Sequence, residues 1–213
     1  MALYKLRQSH EYDIASLITT MTEGYDRISM HGVRNELLEQ QAKALELPLR
    51  KVWIPKGATN EVYRERMQAA LNKFRDEGIS SVAFGDLFLE DIKQYRMKLL
   101  AEIVMDAWFP IWKEDTLTLA YTFVDAGFKA FTVCVDSHVL DQSFVGREFN
   151  RKFLDDLPPN VDSCGENGEF HTFVYNGPLF TQPVRCRIGQ VVLRDSFYFC
   201  DLISADSIAM TER

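Results

Sequence analysis

Glu166, Glu169, His171 and Cys164 fall within one short stretch, residues 162–174, and are interleaved with Gly165 and Gly168. Carboxylates and an imidazole gathered this closely can bind a cation, hold an amine or move protons. Glycines let the backbone turn tightly or approach a ligand. The same composition also suits a polar turn leading into a strand. Thr172 to Tyr175 reads as that strand. In a strand alternate residues point the same way, so Glu169 and His171 share a face if the strand begins at Glu169. A carboxylate beside His171 would favour its imidazolium form.

The elements that must position other polar loops alternate along the first half of the chain. Residues 2–9 read as a short helix, and the apolar run 14–20 as a buried parallel strand. The spacing of Leu37, Leu38, Ala42 and Leu45 predicts a helix over 34–47. Strand 50–54 follows, then a helix over 60–77 with Asn60 as N-cap and Gly78 at its end. Strand 79–84, helix 90–102 and a strand ending at Phe109 complete the series. Strands alternating with helices predict an α/β fold with an open sheet. Ligands bind such sheets beyond the carboxyl ends of the strands. His31 follows the first strand, and Gly85 and Asp86 follow the third. Asp86 there is a candidate helix N-cap as well as a carboxylate able to hold a divalent cation. Arg96 lies on the following helix, spaced to pair with Asp91 or Glu102.

From Lys113 the pattern changes. A helix over 116–126 ends at Gly127, and a strong strand covers 128–135. Residues 139–157 read as mostly helical with an interruption near Gly146. Strands then cover 170–175, 184–192 and 196–202. Two domains are expected, 1–112 and 113–213, the second a smaller α+β unit, with 204–213 as a weakly held tail. Arg147 and Glu148 suit intrahelical pairing, and Arg147 also suits an anion clamp.

A net charge of −7 and a pI near 5.2 argue against a broad nucleic-acid surface. No apolar stretch approaches the ~20 residues that span a bilayer, and no signal peptide is visible. The four cysteines form no Cys-x-x-Cys pair and suit a reducing cytoplasm. No metal cluster is expected.

Glu166-Asn167-Gly168-Glu169-Phe170-His171-Thr172 resembles the Glu-Gly-Gly-Glu-Tyr-Glu-Thr signature of the diphthine–ammonia ligase family, adenylating ATP pyrophosphatases of the adenine nucleotide alpha hydrolase group. Asn167 departs from the glycine pair, and His171 replaces the third acid. Ser29 through Arg34, Ala83-Phe84-Gly85-Asp86, Phe109-Pro110-Ile111-Trp112, Ala126-Gly127-Phe128 and Leu140 through Arg147 carry the resemblance across nearly the whole chain. It implies a Rossmann-like (HUP-type) open parallel sheet followed by the smaller α+β unit. It implies an ATP-dependent ligase with Mg²⁺ that activates a carboxylate as an acyl-adenylate and passes it to ammonia. His31, Gly85, Asp86 and Arg147 would then face the nucleotide, Arg96 a phosphate, and Glu166, Glu169 and His171 the acceptor. The acceptor would be diphthine on an elongation factor or a small carboxylic acid, in the cytoplasm. The change to His171 argues against assigning diphthine by default. Self-association is left open.

The family places a strand and a Ser-Gly-Gly-Lys-Asp-Ser phosphate loop before a helix that continues Ala-Leu-Tyr, where this chain opens Met1-Ala2-Leu3-Tyr4. The resemblance therefore implies that the first, central strand and the loop are missing, that strands 14–20 and 79–84 lose their shared neighbour, and that the chain as written turns over poorly. A non-catalytic nucleotide-binding or regulatory module is the alternative, and an acidic protein-interaction domain a third.

Overall fold

The computed structural model describes residues 1–29 and 31–205. It is mixed α/β and divides into two compact units. One unit holds Met1–Tyr25 and Arg50–Glu114. The other holds Asp26–Leu49 and Asp115 onward. The segment 26–49, read from sequence within the first domain, thus packs with the second. The expected tail lies outside the described residues from Asp206 on.

The first unit starts with helix α1, Ala2–Ser9, whose last turn gives way to His10 at φ 56. Strand β1, Leu17–Thr22, pairs with β2, Leu49–Ile54. Helix α2, Asn35–Ala44, lies between them in sequence but belongs to the second unit. Helix α3 runs Asn60–Asp76, and its N-cap is Thr59 rather than Asn60. The Thr59 hydroxyl accepts the Val62 N–H at 3.3 Å. Strand β3, Ser81–Ala83, helix α4, Glu90–Ala101, and strand β4, Asp106–Trp108, form a βαβ unit with β3 and β4 parallel. Leu71, Phe74, Leu99, Leu100, Ile103 and Met105 close the core where α3 and α4 meet it.

Among the described residues the open parallel sheet expected from the alternation is shown only in part, as the parallel pair β3–β4. β1–β2 and β3–β4 are separate two-stranded sheets, and no described strand joins β1 to β3. β1 is correspondingly half-buried, with Met21 its one fully covered residue, rather than the buried central strand its composition suggests. A strand acquires that burial only from neighbours on both edges and layers on both faces.

The second unit is built on a four-stranded antiparallel sheet. Helix α5, Thr116–Asp125, is capped by Asp115, which accepts the Thr118 N–H at 2.8 Å. Strand β5 is Lys129–Asp136, helix α6 Arg151–Asp156, and strands β6, β7 and β8 are Phe170–Asn176, Cys186–Arg194 and Phe197–Ser204. The order is β6-β5-β8-β7. Phe153, Val133, Val135 and Leu202 are fully covered at the core. Phe144, Phe149, Phe153 and Phe170 meet there edge-on or tilted, with ring centroids 5.3–6.1 Å apart.

The mostly helical reading of 139–157 is corrected. Only a 3-10 turn at Gln142–Phe144 and the six-residue α6 are helical. Gly146 takes φ 82, and the chain then runs extended along β5. Gly146 N–H donates to Thr132 O, Thr132 N–H to Arg147 O and Phe149 N–H to Ala130 O, at 2.7–2.9 Å. Pairing with β5 outweighs the local helical spacing, so Arg147 and Glu148 form no intrahelical pair.

Candidate functional site

The loop before β6 folds around its own carboxylates. Asp162 accepts the N–H groups of Cys164 and Glu166, both at 3.0 Å. Glu169 accepts the N–H groups of Asp162 and Asn167 at 3.0 Å and the Asn167 side-chain amide at 2.9 Å. Its exposure is only 5%. β6 begins at Phe170, and the Glu169 carboxylate just before it is taken up by these loop donors. The departure Asn167 therefore supplies a bond to Glu169. Asn167→Gly should lose that bond and cost about 0.5–1.5 kcal/mol in urea denaturation. Glu166 is half-buried.

Gly165 has φ 70, and a Cβ there would meet the Phe170 carbonyl oxygen at 2.6 Å. Gly165→Ala should destabilise the second unit by about 2–4 kcal/mol, measured as a lowered denaturation midpoint. Cys164 donates its S–H to Thr116 O at 3.2 Å, and burial pushes its thiol up to about 12. Such a thiol stays protonated and is a poor nucleophile.

His171 meets His31 instead. Their ring centroids are 4.6 Å apart, tilted by 39°. His31 Nδ1 lies 3.3 Å from Ser29 O, which makes Nδ1 the protonated nitrogen and Nε2 an acceptor. Burial holds His31 below its ordinary value. Burial, and then the neighbouring His31, push His171 down to about 4. Both rings are uncharged at neutral pH, the reverse of the imidazolium expected from a carboxylate neighbour.

The segment bearing His31 is anchored by Asp201 on β8. Arg34 reaches both carboxylate oxygens, Nε to Oδ1 at 3.0 Å and Nη2 to Oδ2 at 2.6 Å. Arg27 Nη1 donates to Asp201 Oδ1 at 2.8 Å and to Gly32 O at 2.7 Å. The two guanidiniums hold the Asp201 carboxyl down at about 2. Gly32 takes φ 67 against Phe199, whose ring carbon would lie 2.9 Å from an added Cβ. Sequence reasoning quoted Arg34 only within a motif and passed over Arg27 and Asp201. The available signal was a lone carboxylate inside the apolar run Phe197–Ile203.

The remaining candidates lie apart from this pair in the chain. Arg147 Nη2 donates to Asp156 at 2.6 Å, and its guanidinium lies over the Phe144 and Phe153 rings. It borders an open cleft of about 450 Å³ with Ser143, Asn150 and Lys152. Gly85 and Asp86 belong to the first unit. Asp86 does not cap α4, whose N-cap is Leu89. It is buried and faces Arg96, whose Nε donates to Oδ1 at 3.1 Å and lies 2.9 Å from Oδ2. Arg96 thus pairs with Asp86, not with Asp91 or Glu102. Asp86 Oδ2 is buried and accepts no hydrogen bond. With the Arg96 guanidinium 2.9 Å away, that oxygen is held in an ion pair and is not open to a cation. Among the described residues no group of three or more His, Cys, Asp or Glu side chains is placed to hold a metal by itself. No described helix is long and apolar enough to cross a membrane.

Two family models match the chain in order. The diphthamide synthase N-terminal domain matches residues 1–105, and the diphthamide synthase C-terminal domain matches residues 115–202. No curated protein matches the chain.

Proposed function

The chain belongs to the diphthamide synthase family, and from that premise we propose an ATP-dependent, amide-forming role of the diphthine–ammonia ligase type. The two family domains matched in order along one chain carry this reading. The first unit, with its parallel pair β3–β4, is the nucleotide end. Arg96, held by Asp86, is the cation of that unit that would meet a phosphate, and Gly85 leaves open space for the nucleotide. Magnesium supplies charge neutralisation of the triphosphate. Arg147 is the candidate anion contact of the second unit.

The second unit is the acceptor end. Uncharged His31 and His171 can accept N–H groups of ammonia without repelling an ammonium ion. Glu169 shapes the loop before His171, and Glu166 in the same loop is the carboxylate assigned to the acceptor. This reassigns the expected pair Glu169–His171 to the pair His31–His171.

Among the described residues no Gly-rich loop runs into a helix N-terminus in the manner of a phosphate cradle. Residues 1–213 on their own are therefore expected to hold Mg-ATP weakly, and calorimetric binding at micromolar affinity would overturn that. The second reading is a non-catalytic nucleotide-binding or regulatory module. To separate the two, a strand and a Ser-Gly-Gly-Lys-Asp-Ser loop are fused ahead of Met1. The fused chain should release AMP and pyrophosphate in step with amide formed on a diphthine-bearing elongation factor. A fused chain that binds Mg-ATP and forms no amide would leave the module reading standing.

A further inference from the structure

His171 does not end at its own strand. The register sets His171 opposite Cys134, Cys134 opposite Phe199, and Phe199 opposite Val192, one row across all four strands. Directly paired residues share a face. The next row on that face joins Asp136, Phe197 and Arg194. The face bearing His171 thus reaches β7, the edge of the sheet.

That edge has two unusual properties in an acidic protein. Arg185, Arg187 and Arg194 are exposed and make no ion pair among the described residues, although the chain carries a net charge of −7. Val192 and Leu193 are 37% and 56% exposed between them. Beyond its ladder with β8, β7 has no backbone hydrogen bond to another described segment. A row of unpaired amides and carbonyls is a template for an added strand. A second copy in antiparallel pairing would set like charges near one another, Arg187 towards Arg194, which disfavours self-association.

We propose that the β7 edge and its arginines dock an extended, acidic polypeptide segment, a strand-adding partner whose carboxylates meet Arg187 and Arg194. Its backbone continues the sheet, and its apolar side chains cover Val192 and Leu193. The inference rests on the acceptor reading only in naming why a peptide would dock here: a protein acceptor can be anchored at the β7 edge while another part of its chain reaches His171 along the face that the two strands share. Docking itself needs neither ATP nor turnover.

The test uses residues 1–213 and a fluorescein-labelled peptide alternating Glu with Val, with a Lys–Val peptide and a single-stranded RNA of equal length as comparisons. The acidic peptide should bind in a salt-sensitive manner. Amide exchange at 187–194 should slow on binding. R187E/R194E should weaken binding by about tenfold or more while its circular dichroism stays unchanged. Equal binding of the Lys–Val peptide, preferential binding of RNA, or no protection at 187–194 would overturn the proposal. Amide formation is scored separately, so failure of the ligase reading leaves this result intact, and the converse holds.

Discussion

Stability should fall by about 3 kcal/mol as pH drops from 7 to 4, and His171→Gln should remove most of that fall. The unfolded imidazole takes its proton near 6.5, whereas the folded one does so only near 4. Between these values the unfolded state binds more protons, so stability rises with pH across the window. The contribution is complete above 6.5 and lost as pH falls through 4. His31 adds to it in the same direction, because burial also holds its ring below the ordinary value. The check is urea denaturation of both proteins at several pH values. A parallel decline in wild type and His171→Gln would place the acid sensitivity elsewhere. A further loss belongs to Asp201. Its folded carboxyl is depressed to about 2, so its contribution is present above about 4 and disappears below that.

Glu169→Ala should cost about 2–4 kcal/mol of stability, because it strands N–H groups in a buried loop. The Asp162 and Asn167 N–H groups and the Asn167 amide all converge on this carboxylate. Glu169→Gln should recover part of that loss. Its oxygen can keep the two bonds made to Oε1, while its amide nitrogen would face the Asn167 N–H in place of Oε2. Denaturation midpoints of the two variants, read with near-ultraviolet circular dichroism for packing around Phe170, test this directly. A Glu169→Gln protein of wild-type stability that nevertheless loses amide synthesis would return Glu169 to the chemistry and take it out of the loop's architecture.

Much of the element sequence was legible because it rests on local signals. The helical spacing of Leu37, Leu38 and Ala42, the stop at Gly78, and the β-branched run before Asp136 all lead to the observed α2, α3 and β5. What was not legible depends on partners distant in sequence. The stretch 139–157 has helical spacing, yet Gly146 to Phe149 pairs with β5 instead. The expected sharing of a face by Glu169 and His171 assumed a strand start one residue early. The competing N–H groups of Asp162 and Asn167 turn the carboxylate into its own loop. The family resemblance pointed to the loop but not to its wiring. His31 was singled out for a nucleotide and stands against His171. Asp201, which fixes the His31 segment, carries no motif at all.

The most direct measurement is the titration of the His171 imidazole by proton–carbon NMR in residues 1–213, with His171→Gln identifying its resonance. A midpoint near 4, with the His31 resonance moving only below its ordinary range, is the expected result for an uncharged pair at the acceptor end. A midpoint at or above 6.5 would mean that burial does not hold the proton off His171, and it would contradict the buried, proton-resisting pair on which the acceptor site is built.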